Sequence, residues 1–231
     1  MQMLVWGFMS VFLAGKTSYV AQAFGVLLSG ALLWDVLFRG QLGVCVSFLE
    51  EMWSRNLCHL FVSPLRPWEM MVGLMALSVM RLLIGIVPAA ALCGLFYGFD
   101  VTSLGWPLLG FFVGLIVMGW GIGLVVCGLI MRYGMAAESL AWLLGFALMP
   151  VTGIYYPVAV LPEWLQALAW TLPSAYMFEG MRAVVVEGQF RADLMLQGLA
   201  LDVVWLAGGC AGFMALFEAA RRHGQLLQQG E

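Results

Sequence analysis

Charge is scarce in this sequence. Only 10% of its 231 residues are Asp, Glu, Lys or Arg, against about 25% in an ordinary soluble domain. Ten basic and thirteen acidic side chains cannot cover a globule of this size with solvated charge, which excludes a soluble enzyme and a disordered chain alike. A net charge of -3 leaves no basic footprint for nucleic acid. The two histidines, His59 and His223, lie outside the apolar runs, so no histidine-based catalytic site sits within a bilayer. Cys45, Cys58, Cys93, Cys127 and Cys210 stand singly, without C-x-x-C or metal-ligand spacing, and read as unpaired thiols. The sixteen methionines recur at no fixed spacing and read as packing filler.

Apolar residues fill the gap, at 63% of the chain with a mean hydropathy of +0.97, and they make this an integral membrane protein. A spanning helix needs about 20 mostly apolar residues. Six runs qualify or nearly so, at about 1–14, 19–48, 69–99, 106–131, 138–156 and 194–218, within one transmembrane domain over 1–231. The first run lacks a basic start and an A-x-A site, so it reads as a retained helix rather than a signal peptide. Its shortness predicts further residues upstream of Met1. Six spans put both ends on one side. One set of loops holds Arg39, Arg55, Arg66, Arg132, Arg221 and Arg222, whereas the other holds Lys16, Arg182 and Arg191 among several acids. The excess of basic residues predicts both termini in the cytoplasm. Gly15-Lys16-Thr17 mimics the end of a phosphate-binding loop, but the first glycine of that motif is replaced by Ser10. ATP hydrolysis is not expected on this chain.

Two connecting segments carry patterns of their own. From Glu50 to Phe61, Met52, Trp53, Leu57, Leu60 and Phe61 form a helical apolar stripe beside Glu50, Glu51, Ser54, Arg55 and His59. Glu51 and Arg55 are spaced to pair at i,i+4, and Ser63-Pro64 followed by Pro67 ends the stretch. A short amphipathic helix of this kind can lie flat in the interface or dock into a groove on a soluble partner. The second segment, 157–193, predicts two short helices. Pro162 and Glu163 open the first, whose stripe is Trp164, Leu165, Leu168 and Leu172 before Pro173 ends it. Ser174 is expected to cap the second, on which Glu179 and Arg182 can pair at i,i+3. Non-spanning helices at membrane depth are buried in protein or line a cavity; an interfacial belt of Trp and Tyr is the other reading.

Charges within spans are costly and mark function by default. Asp35 and Arg81 fall at nearly equal depths, which predicts a pair between adjacent helices; Asp35 bonding Arg39 one turn on, or touching substrate, are the alternatives. Asp202, near the outer end of the last span, is a weaker candidate. Gly110-x-x-x-Gly114, Gly119-x-x-x-Gly123 and Gly208-x-x-x-Gly212 predict close helix packing.

The stretch Glu50-Glu51-Met52-Trp53-Ser54-Arg55-Asn56-Leu57, then Leu60-Phe61-Val62-Ser63-Pro64-Leu65-Arg66-Pro67-Trp68-Glu69, resembles the loop between spans two and three of ABC-2 type exporter permeases. Tyr155-Tyr156-Pro157, Leu161-Pro162-Glu163-Trp164-Leu165 and Leu172-Pro173 resemble that family's extracytoplasmic segment before its last span. The family usually begins with a cytoplasmic interfacial helix ahead of span one, which residues 1–14 do not supply. The resemblance implies an all-α membrane protein of six transmembrane helices with a cytoplasmic coupling helix in loop 49–68. It also implies a re-entrant extracytoplasmic helix pair in 157–193. Glu50, Glu51, Trp53, Arg55, Asn56, Leu57, Phe61, Ser63, Pro64, Leu65 and Arg66 would then contact an ATPase. Tyr155, Tyr156, Pro157, Pro162, Trp164, Pro173, Glu179 and Arg182 would form an outer gate. Also implied are a bacterial cytoplasmic-membrane location, two ATP-binding cassette subunits holding the ATP and Mg²⁺, a second copy of this chain or a similar permease, and surrounding lipid, with no cofactor on this chain. The cargo class would be a lipid, polysaccharide, drug-like or other amphipathic molecule, exported by alternating access. The alternative is an ion-coupled carrier using Asp35, although the six spans show no 3+3 duplication.

Overall fold

A computed structural model describes residues 18–54, 56–57, 63–97 and 105–223. Among them all regular structure is helical: α1 (Ser18–Trp53), α2 (Pro67–Tyr97), α3 (Pro107–Tyr133), α4 (Glu138–Leu148), α5 (Glu163–Ala169), α6 (Pro173–Arg182) and α7 (Ala192–Arg222). A 3₁₀ turn Gly134–Ala137 precedes α4, another, Val158–Val160, precedes α5, and a π-helical turn Ala183–Glu187 extends α6.

Local chemistry sets the helix ends. Pro67 takes the first helical position of α2, where its missing N–H costs nothing. Glu69, two residues on, accepts a 2.7 Å hydrogen bond from the Arg66 backbone N–H, half of a capping box. Gly134, at φ 72°, supplies the left-handed residue that stops α3. α4 halts at Leu148, short of the predicted 156, because Pro150 follows and Gly153 turns the chain at φ 67°.

The apolar runs become helices with some corrections. Ser29–Trp53, Pro67–Pro88, Pro107–Tyr133 and Ala192–Arg222 are long and apolar enough to cross a membrane. The predicted fifth span yields only α4, of 11 residues. The first run and Gly15-Lys16-Thr17 lie outside the described residues. Glu50 to Trp53 form no separate amphipathic helix; they are the last turn of α1, whose apolar run continues into them without a breaker. Arg55, His59 and Phe61 lie outside the described residues. Ser174 does not cap α6: Leu172 is the N-cap and Pro173 opens the helix instead of closing the preceding one. Proline suits that first position as well as it suits a stop.

The contacts divide the chain into two compact units. Unit one comprises Met1–Leu37, Leu83–Leu115 and Ala147–Asp202; unit two comprises Phe38–Leu82, Ile116–Phe146 and Val203–Glu231. In unit two, Val44, Phe48, Leu49 and Met52 of α1 pack with Met70, Met71 and Leu74 of α2, Leu124, Ile130 and Met131 of α3, and Phe213 of α7. Polar groups fasten these helices where no water competes. Gln41 Nε2 donates to Ala141 O at 2.8 Å, and Ser78 Oγ donates to Gly40 O at 2.9 Å. The thiols of Cys45 and Cys127 reach Gly123 O and Val44 O, each at 3.7 Å, and both remain reduced. α3 and α7 touch backbone to backbone: a Cβ on Gly209 would lie 2.5 Å from Gly121 O, and one on Gly121 would lie 2.8 Å from Trp205 O. In unit one, Val158, Leu161, Ala169 and Ala175 form a small core under the turns before α6.

Candidate functional site

Three places hold the residues singled out from the sequence. The first is the end of α1, the start of α2 and the segment between them, all in unit two. Glu51 anchors that segment twice. Its backbone carbonyl accepts from Ser54 Oγ and from the Asn56 N–H, and its Oε2 accepts from Asn56 Nδ2 at 2.7 Å. Leu57 is buried in the unit-two core, so the chain is pinned again one residue later. Ser63, Pro64, Leu65 and Arg66 are exposed before α2 begins. Trp53 and Trp68 flank the segment at 53% and 51% exposure. Large apolar rings placed so invite lipid headgroups or a partner surface.

Arg81 belongs to this same place, which corrects the sequence-based pairing. Its guanidinium engages the Glu50 carboxylate with both terminal nitrogens, Nη1 at 3.0 Å from Oε1 and Nη2 on Oε2. Asp35 is not its partner. Depth counted along two helices ignored the direction in which long side chains lean. In α1 and α2, neighbours joined by a short segment, each Cα–Cβ bond tilts towards its own helix N-terminus. Glu50 therefore leans back along α1 and Arg81 leans down α2, towards each other, while an arginine in a span also seeks polar company near its end.

The second place is the turn-rich stretch before α7, in unit one. Glu179 on α6 accepts from the Val158 N–H at 2.7 Å and pairs with Arg182 at 2.9 Å. Arg182 donates to Gly153 O at 2.8 Å. One i,i+3 pair thus ties the Gly153 and Val158 turns to α6. Tyr156 Oη donates to Pro150 O at 2.5 Å, and Tyr155 is half-buried. Pro157 and Pro162 are exposed at turn positions, and Pro173 is buried. The predicted α5 stripe is split, with Trp164 72% exposed and Leu172 buried at 4%.

Asp202 marks the third place. It is 2% exposed, and neither carboxylate oxygen has a hydrogen-bond partner among the described residues. A Cβ on Gly114 would stand 3.0 Å from its Oδ2 and would overlap the Met177 methyl. The missing side chain at Gly114 thus makes the space that the carboxylate occupies. Asp35 is half-buried on α1.

The structure brings together Glu50, Glu51, Asn56 and Leu57 with Arg81, and separately Tyr156, Pro157, Glu179 and Arg182. It does not join Asp35 to Arg81. The backbone partners of Glu179 and Arg182 were invisible to sequence reading, because a carbonyl or N–H on a turn carries no residue-type signal. The i,i+3 spacing of the two charges was the only clue. No cluster of metal-ligating side chains occurs among the described residues.

A comparison with curated proteins finds no match. The family model described as ABC-2 type transporter matches residues 1–186, which takes in everything from the chain start to the π-turn after α6. The chain therefore belongs to the ABC-2 type transporter family, as a multi-pass membrane permease component that does no catalysis itself and whose family membership implies association with an ATP-binding cassette ATPase.

Proposed function

We propose that the chain is the membrane half of an ATP-driven exporter and that the 54–66 segment is where an ATPase subunit grips it. The observation that carries this reading is the tethering of that segment, which is tied to α1 through Glu51, to the unit-two core through Leu57 and to α2 through Glu69. Glu50 and Arg81 bridge the two helices directly. A force applied at these tethers is passed to both helices. ATP and Mg²⁺ are held by two partner ATPases, and a second copy of this chain or a similar permease completes the path across a bacterial cytoplasmic membrane with both termini inside. Energy enters as a difference in ATPase affinity for two permease states. Segment 157–193 is the outer gate in this reading, and the cargo is amphipathic. Family membership favours this over ion coupling through Asp35.

The test is a mild-detergent pull-down from native membranes with mass spectrometry of what co-purifies. A stoichiometric ATPase that is lost in the Glu51→Ala, Arg55→Ala variant is the expected result. Recovery of the permease alone under gentle conditions overturns the assignment.

A further inference from the structure

Beside the Glu179–Arg182 clasp lies a cavity of about 270 Å³ lined by Pro157, Trp170, Glu179, Arg182, Glu187 and Arg191, among others. It opens where α6 changes into the π-helical turn Ala183–Glu187, and π-turns in α-helices concentrate at functional sites. The floor is fixed. Both oxygens of Glu179 are engaged, one by the Val158 N–H and one by Arg182, and Arg182 also holds Gly153 O. The Trp170 ring is braced edge-on by Tyr176, with centroids 4.9 Å apart. At the mouth, Arg191 is taken by Asp193 at 2.5 Å. The hydrogen bond and charge of Asp193, then the charges of Glu187 and Glu179, raise the Arg191 guanidinium above its ordinary pKa, so the fields of these acids converge there.

The pairing of charge decides the ligand class. Two carboxylates (Glu179, Glu187) and two guanidinium groups (Arg182, Arg191) line the cavity; Arg182 is ion-paired to Glu179, and Arg191 to Asp193, which is not itself part of the lining. The lining carboxylate outside these two pairs is that of Glu187, which is solvent-exposed, and Trp170 lines the same cavity. An anion finds no uncommitted cation, because both guanidinium groups are already ion-paired. We propose that this cavity binds a monocationic, partly apolar molecule, its ammonium group between Glu187 and Trp170. Carboxylate and indole both favour a cation, the indole through its π face. The ammonium can belong to a soluble amphiphile or to a lipid headgroup. The inference concerns the permease alone and does not depend on ATPase coupling.

The purified full chain, without an ATPase, is tested by equilibrium dialysis against benzyltrimethylammonium, with its neutral isostere neopentylbenzene and with benzylsulfonate as competitors. Saturable binding of the cation, unaffected by either competitor and weakened about fivefold by Glu187→Gln and by Trp170→Leu, is expected. Melting curves of both variants, matched to the parent, exclude a folding defect. Displacement of the probe in phosphatidylethanolamine nanodiscs but not in phosphatidylglycerol ones assigns the site to a lipid amine, and retention in both assigns it to a soluble cation; either supports the site. Competition by benzylsulfonate, unaltered affinity in folded variants, or no saturable binding overturns it.

Discussion

Glu50, in the last turn of α1, and Arg81, four turns into α2, form a two-pronged ion pair that joins the helices on either side of the 54–66 segment. Both side chains are substantially exposed, Glu50 at 48% and Arg81 at 40%. Exposed pairs contribute only about 0.2–1 kcal/mol to stability, so the role of this pair is to set geometry. Glu50→Arg and Arg81→Glu, each alone, should impair transport with little change in melting temperature, and the double reversal should restore it. A transport assay on the four members of the cycle decides the point. Restoration of Arg81→Glu by Asp35→Arg instead would reinstate the pairing that sequence depth suggested.

Glycine at 209 is required by the α3–α7 approach, since its Cβ would meet Gly121 O at 2.5 Å. Its neighbour Gly208 meets nothing within 4 Å. Gly209→Ala should therefore cost about 1–3 kcal/mol, because backbone cannot yield as a side-chain tip does. Gly208→Ala should be neutral or stabilising by up to about 1 kcal/mol, as alanine suits a helix interior better than glycine. Thermal unfolding of the two variants in the same detergent measures the difference. Equal losses would mean that the helices do not meet at this point.

The long helices were legible because hydropathy over about 20 residues is a strong signal that tertiary context seldom overrides. The place where α1 ends was less so: Glu50 and Glu51 read as the start of a new amphipathic helix, yet they simply continue the old one. Polarity marks where a helix leaves the apolar phase, and only a breaker marks where it stops. Pro173 shows the same limit, since proline excludes a helix interior but fits an end or a beginning equally. The glycine motifs announced close packing without saying which glycines touch: Gly110, Gly114 and Gly123 meet neighbours, Gly208 does not, and the backbone contact of Gly121 with Gly209 falls on two glycines that no motif named. The Glu179–Arg182 pairing was readable from spacing, but its grip on Val158 and Gly153 was not.

That grip sets up a graded prediction. In Glu179→Gln the amide oxygen can still accept from the Val158 N–H, while the ionic partner of Arg182 is lost. In Glu179→Ala both are lost, and a half-buried guanidinium keeps only Gly153 O. Leaving a buried charge unpaired costs about 3–5 kcal/mol, and the partial exposure of this pair, 14% and 20%, reduces that to about 2 kcal/mol. Glutamine should thus destabilise by about 2 kcal/mol and alanine by about 3 kcal/mol, the difference being the Val158 hydrogen bond, read from thermal or denaturant unfolding. Equal effects would show that the backbone contact at Val158 contributes nothing.

Asp202 separates stability from function most sharply. Its two oxygens lie in packed protein beside Gly114 and Met177 without a hydrogen-bond partner among the described residues. A buried polar group left unsatisfied costs about 1–3 kcal/mol. Asp202→Leu keeps the branched shape, removes both polar atoms and suits a span, so it should raise the unfolding temperature. A carboxylate retained at such a cost is a functional residue by default, and residues of that kind trade stability for activity. Transport by the leucine variant should fall at least tenfold although the protein is more stable. A variant that gained stability and transported normally would reduce Asp202 to an accident of packing, and one that lost stability would show that its oxygens have partners.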